Sequence, residues 1–134
     1  MKEIEVGCAL IRDQGKILIA QRKPGDFLSG YWEFPGGKCE EGESLESCLR
    51  REVFEELGIE IRPERFLFTK IYPYSDRVVL LNFFLCHVIS KVWLHKRDCW
   101  DYRWVTRQDL SQFLFVPGDL EIINALKRGQ FRMG

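Results

Sequence analysis

The sequence predicts an α/β fold, a mixed β-sheet with helices on opposite faces. Three observations predict it. Short segments rich in β-branched and aromatic residues dominate the chain, helical periodicity is confined to two separated segments, and no repeat, low-complexity tract or linker interrupts the 134 residues. That length suits a single domain spanning residues 1–134, large enough to bury about two-thirds of its unfolded surface.

In order along the chain, Ile4 to Ile11 and Lys16 to Ala20 read as two strands joined by Asp13-Gln14-Gly15, a hairpin. Residues 23–30 are a loop punctuated by Pro24, Gly25, Ser29 and Gly30. Trp32 to Phe34 is a very short strand, stopped by Pro35-Gly36-Gly37. Ser44 or Glu43 caps a helix that runs to Leu57, where Gly58 ends it. Phe66 to Ile71 and Arg77 to Ile89 are strands joined by the Pro73–Asp76 turn, and Tyr102 to Val105 is another. A last helix, from Leu120 to Arg128, is entered through Pro117-Gly118-Asp119.

Composition then excludes several classes of function. Hydrophobic residues at 46% and charged residues at 30% describe a globular chain rather than a disordered one. Twenty Lys and Arg balance twenty Asp and Glu, so no bulk positive charge is available to hold a nucleic acid, and no stable nucleic-acid partner is expected. The five cysteines are odd in number and form no CxxC pair, which predicts reduced core thiols rather than a disulfide framework or zinc site. MKEIEV is no secretory signal, and no apolar run approaches the ~20 residues that span a bilayer. A cytoplasmic protein without a membrane partner is expected.

The informative segment is Gly37 to Ile59, GKCEEGESLESCLRREVFEELGI. At about 100° per residue from Leu45, the residues Cys48, Leu49, Val53 and Leu57 make one apolar stripe. Glu52 and Glu56 fall inside that stripe, about 20° to either side of Leu45, and Glu55 lies at its edge. Carboxylates on a core-facing surface repel one another and are costly to desolvate, so cations must sit among them. Arg51 can compensate one; hard divalent cations, which take oxygen ligands and are completed by phosphates, suit the rest. Gly36-Gly37 agrees, since glycine lets backbone approach an ion or ligand closely.

These residues resemble the Nudix box, G-x5-E-x7-R-E-U-x-E-E-x-G-U, at all nine specified positions: Gly37, Glu43, Arg51, Glu52, Val53, Glu55, Glu56, Gly58 and Ile59. The resemblance implies the Nudix fold, an α/β/α sandwich around a mixed sheet, and Mg²⁺-dependent hydrolysis (Mn²⁺ substituting) of a nucleoside diphosphate linked to a further group. It implies metal ligation by Gly36, Glu52, Glu55 and Glu56, with Glu52 or Asp98 as the base and Arg51 orienting the carboxylates.

Outside the box the chain looks like the MutT-type branch through QRKPGDFLSGYWEFPGGK, YPYSDR, DCWDYRWV and VPGDLEIINALKR. On that likeness Arg22, Phe34, Gly37, Lys38, Tyr74, Arg77 and Asp119 contact substrate. Asp98 is one methylene shorter than the family's usual glutamate. Asp119 stands where guanine-specific members carry asparagine and cytidine-preferring members aspartate. Ionised, it only accepts, and so favours a donating base edge such as cytosine N4; protonated and buried, it mimics asparagine.

The resemblance therefore implies a nucleoside triphosphate pyrophosphohydrolase acting on 8-oxo-dGTP, with a CTP or 5-substituted dCTP pyrophosphohydrolase as the alternative. The protein would be a monomer or homodimer. Removal of pyrophosphate from RNA 5′ ends would need a basic channel, for which only Lys91 to Arg97 offers a start. A non-catalytic recognition domain would not need all the box carboxylates.

Overall fold

The structure, a computed structural model, describes residues 2–130; Met1 and residues 131–134 of the expected domain lie outside them. The strands are β1 (Lys2–Asp13), β2 (Lys16–Gln21), β3 (Trp32–Glu33), β4 (Gly36–Lys38), β5 (Glu60–Pro73), β6 (Arg77–Ser90) and β7 (Asp101–Val105). The helices are α1 (Leu45–Leu57) and α2 (Leu120–Lys127), with short 3-10 turns at Arg107–Gln112 and Pro117–Asp119. All seven strands join one sheet in the order β3-β2-β1-β6-β5, with β4 added to β1 and β7 to β2. Among the paired strands of the described residues, β1 and β6 run parallel and the other pairs antiparallel, so the sheet is mixed, as expected.

The central strands bury both faces, which is why they read as unbroken apolar runs. Their alternation divides the core in two. Cys8 and Leu10, Ile17 and Ile19, and Phe83 and Leu85 face α2 with Ile122, Ile123 and Leu126. Ala9 and Ile11, Leu18 and Ala20, and Phe84 and Cys86 face α1 with Leu49, Val53 and Leu57. The two helices therefore cover opposite faces of the sheet.

Local chemistry sets the ends of α1. The Ser47 amide donates to Ser44 Oγ at 3.1 Å, and Gly58 takes φ 71° while its amide donates to the Phe54 carbonyl at 2.8 Å. Between the two candidate caps, the structure selects Ser44.

Three features depart from the sequence reading. β5 begins at Glu60 rather than near Phe66, because an edge strand tolerates Pro63 and alternating charges, and its register shifts between Pro63 and Arg65. Gly36–Lys38 is a strand rather than loop, paired antiparallel with Val6–Cys8. The expectation of five reduced thiols is also corrected, since Cys39 and Cys48 form a disulfide with Cα atoms 5.2 Å apart. The nine-residue spacing gives no CxxC signal; only the docking of β4 against α1 brings the two together. Cys8, Cys86 and Cys99 are free and buried. Among the described residues no helix is long and apolar enough to cross a membrane.

Candidate active site

β1 divides one of its edges between two partners. Arg12 and Asp13 pair with β2, while Val6, Gly7 and Cys8 pair with β4. The Gly36-Gly37 pair is thereby drawn into the sheet beside Gly7, with α1 lying directly across it. A Cβ on Gly7 would come within 3.0 Å of the Leu49 side chain. Gly36 has φ 153°, and a Cβ there would fall on the Gly7 carbonyl oxygen; one on Gly37 would fall on the Glu52 carboxylate. The glycines thus let a strand and a glutamate of the facing helix meet.

A cleft of about 410 Å³ opens at this junction. Seven carboxylates line it, from Asp26, Glu33, Glu52, Glu55, Glu56, Asp98 and Asp119, against one cationic side chain, Arg22. Val6, Phe34, Leu81 and Val116 form an apolar wall. The segment after Phe113 is held against β3, with Trp32 N–H donating to Leu114 O (2.8 Å) and Val116 N–H to Trp32 O (2.9 Å). This carries Gly118 and Asp119 over the cleft, where a Cβ on Gly118 would lie 2.8 Å from Leu81. The loop bearing Asp98 is tied down by His95 N–H to Leu57 O and Trp100 N–H to Gln21 O, both 2.9 Å.

Arg51 compensates the outer carboxylates. It donates to both oxygens of Glu43 (2.7 and 2.9 Å), to Glu52 (2.9 Å), to Glu55 (3.2 Å) and to the Lys38 carbonyl (3.3 Å). The guanidinium, with the Glu40 amide, holds the Glu43 carboxyl down at about 2. Among the described residues Glu56 has no such partner. Burial, then the charges of Glu33, Glu52 and Asp98, push it up to about 8 despite a hydrogen bond from the Gly36 amide. Burial also raises Glu33 against the pull of Arg22, its ion-pair partner at 2.9 Å. Asp119 is 4% exposed; burial pushes it up to about 8, although its Oδ2 accepts from the Phe34 amide at 2.9 Å. Negative charge here exceeds what the protein's own cations balance. An oxygen-rich set with this excess fits a hard divalent cation.

Arg22, Phe34, Gly36, Gly37, Glu52, Glu55, Glu56, Asp98 and Asp119 are all brought to the cleft. Lys38 is not; it lines an adjoining groove of about 940 Å³, which shares Glu52 with the cleft. Tyr74 and Arg77 also lie off the cleft lining. They sit at the β5–β6 turn, Tyr74 53% exposed, with the guanidinium 5.5 Å from the ring centre. Leu81 and Val116 stand in the wall instead. Glu33 escaped the sequence reading although the signal was there: it interrupts the aromatic run Tyr31-Trp32-Glu33-Phe34, as Glu52 and Glu56 interrupt their stripe.

A pH effect follows. A carboxyl raised on folding leaves stability intact below its unfolded value and removes it as pH climbs through the folded one. Glu56 and Asp119 both do this between about 4 and about 8. Glu43 acts oppositely, but only below its ordinary range. Metal-free protein is expected to melt at progressively lower temperature from about pH 5 to about pH 9, with divalent metal restoring more at the alkaline end. A melting temperature that stays level or rises across that range, in chelator, would contradict the burial of uncompensated carboxyls.

The NUDIX domain profile matches residues 1–126. The 8-oxo-dGTP diphosphatase of Buchnera aphidicola subsp. Schizaphis graminum is 32% identical over 128 residues, covering 96% of each chain. The CTP pyrophosphohydrolase of Escherichia coli K12 is 35% identical over 128 residues, covering 93% of this chain and 92% of that one. The solution structure of the E. coli ORF135 protein superposes with a TM-score of 0.82 at 34% identity, over 97% of this chain and 92% of that one. The box, whose Gly37, Glu52, Glu55 and Glu56 line the cleft, and these matches lead to one conclusion: the chain belongs to the Nudix family, as a MutT-like hydrolase.

Proposed function

We propose that this chain is a cytoplasmic nucleoside triphosphate pyrophosphohydrolase that converts 8-oxo-dGTP to the monophosphate and pyrophosphate. The observation that carries the reading is the cleft itself, which sets uncompensated carboxylates beside an apolar wall ending in Asp119. The first suits a metal-bound polyphosphate and the second a base. Nudix hydrolases need a divalent metal, and Glu52, Glu55, Glu56 and Gly36 would hold Mg²⁺, which supplies neutralisation of phosphate charge and an acidified water.

The chain's own residues do the remaining work. Glu52 or Asp98 takes the proton of the water that attacks the β-phosphorus, as the bond from that phosphorus to the α-phosphate oxygen breaks. Arg51 fixes the orientation of Glu52 and Glu55, so little reorganisation accompanies the reaction. Arg22 presents a positive charge to the phosphates, and Gly37 leaves room for the Glu52 carboxylate beside them. Phe34, Leu81 and Val116 pack the base. Tyr74 and Arg77, paired with each other at the β5–β6 turn, stand outside the cleft lining and have no part in this reading.

Asp119 decides the base. Burial pushes the Asp119 carboxyl up to about 8, which favours its protonated form at neutral pH; with Oδ2 accepting from the Phe34 amide, Oδ1 is the oxygen left to carry the proton. Asp119 then offers a donor and an acceptor, as asparagine does, matching O6 and N7–H of 8-oxoguanine. A second reading, hydrolysis of CTP or 5-substituted dCTP, is favoured by the aspartate itself, which accepts from cytosine N4 once ionised.

Pyrophosphate release measured as kcat/KM on 8-oxo-dGTP, dGTP, dCTP and 5-substituted dCTP tests the two. A preference for dCTP above about tenfold at neutral pH would overturn the first. Asp119→Asn is the companion. It is expected to raise the 8-oxo-dGTP to dCTP ratio by about tenfold near pH 9, where the native carboxyl is ionised, and to change it little near pH 6. Equal effects at both pH values would mean that Asp119 does not read the base through its proton.

A further inference from the structure

The Cys39–Cys48 disulfide lies outside the chemistry assigned so far, yet it is fastened to it. Cys39 directly follows β4 and is half-buried, on the wall of the groove that shares Glu52 with the cleft. Cys48 is fully buried on α1, one helical turn before Glu52. Cys39, Cys48 and the Glu43 carboxylate place their ligand atoms within 4.8 Å of one another. Glu43 in turn grips Arg51, which holds Glu52 and Glu55. The bridge thus binds the end of β4 to the helix that carries the carboxylates, at the end of the arm that orients them.

We propose that Cys39 and Cys48 are a redox-reversible modification site, closed as a disulfide and opened by a dithiol reductant, whose state sets the metal affinity of the carboxylate cleft. A thiolate of the reductant attacks Cys39 Sγ, the sulfur reached from the groove. A mixed disulfide forms there as the Cys39–Cys48 bond breaks, and Cys48 leaves as a thiolate that takes up a proton. The reductant's second thiol then attacks its own sulfur in the mixed disulfide and releases Cys39, which is protonated in turn. Two electrons and two protons have passed to the protein, and the reductant has become a disulfide. Oxidised glutathione runs the exchange backwards, leaving as two thiols.

Opening removes the covalent cross-link that shortens the path between the end of β4 and α1. Three residue pairs with β1, the Cys39 amide on Glu5 O, the Gly36 amide on Glu56 and the Arg51 contacts then hold the junction without it. Gly37 touches Glu52 directly, so any loosening of β4 reaches a metal-binding carboxylate within two residues of the bridge.

The test uses the full chain equilibrated with oxidised glutathione or with dithiothreitol, then acid-quenched, unfolded and alkylated. Three alkylated thiols are expected from the first sample, since Cys8, Cys86 and Cys99 are free, and five from the second. Mn²⁺ binding followed by electron paramagnetic resonance should weaken about three- to tenfold on opening, and Cys39→Ser should give the weaker value whatever the redox buffer. Five alkylated thiols after oxidised glutathione, or one affinity in both states, overturns the proposal. The affinity arm rests on the carboxylate assignment made above. Failure of Mn²⁺ to bind either form would sink that assignment, while the thiol count still decides whether the bridge forms.

Discussion

Replacing Glu52 by glutamine is expected to lower turnover by about a thousandfold or more, the range seen when a preorganised charge at a reacting centre is removed. Glu52 joins the parts of the site to one another. Glu52 accepts from Arg51 at 2.9 Å, lies against Gly37 and lines both the cleft and the adjoining groove. Glutamine keeps the shape and the contact with Gly37 but loses the charge that a metal or a proton needs. The fold should survive, and the metal-free protein should melt no lower than the parent, because the charge on Glu52 is one of the influences that raise Glu56. Pyrophosphate release, Mn²⁺ binding and a melting curve are the three measurements. Turnover near that of the parent would remove Glu52 from the mechanism; a collapse in melting temperature would make its role structural.

The adjacent glycines are expected to fail in different ways when each is changed to alanine. At Gly36 the new Cβ meets the Gly7 carbonyl, which is backbone within the central strand, and the φ of 153° is itself unfavourable for alanine. Neither can relax without breaking the β1–β4 pairing, so Gly36→Ala should cost several kcal/mol of stability and abolish activity. At Gly37 the obstacle is the far end of the Glu52 side chain, which can swing away. Gly37→Ala should melt within a few degrees of the parent yet lose about a hundredfold in turnover, because a displaced carboxylate no longer meets the reacting atoms. Melting curves and kcat on the two variants check the pair. Equal loss of stability in both would mean that Glu52 is held too rigidly to yield.

Much of this was legible in the sequence for a definite reason. Strand alternation, the Ser44 and Gly58 caps and the acidic residues inside an apolar stripe are local properties, set by periodicities of two and 3.6 residues. The box placed Glu52, Glu55 and Glu56 together because one helix carries them all. The first half of β5 was hidden, because Pro63 and its charged neighbours mimic a loop and only pairing with β6 makes them a strand. β4 was hidden for the same reason: Gly36-Gly37 has no strand propensity, and β1 recruits it.

What the sequence determined by itself is the family chemistry: a turn of helix with inward carboxylates, a capped α1, and a sheet buried on both faces. Which side chains share the cleft, and which cysteines meet, the tertiary structure alone decided. Asp119 reaches the Phe34 amide across 85 residues of chain; Tyr74 and Arg77, close in sequence, turn to each other instead; and Cys39 finds Cys48 because β4 docks on α1. Charge and periodicity act between neighbours along the chain. Burial, which lifts Glu56 and Asp119, exists only once distant segments have closed over them.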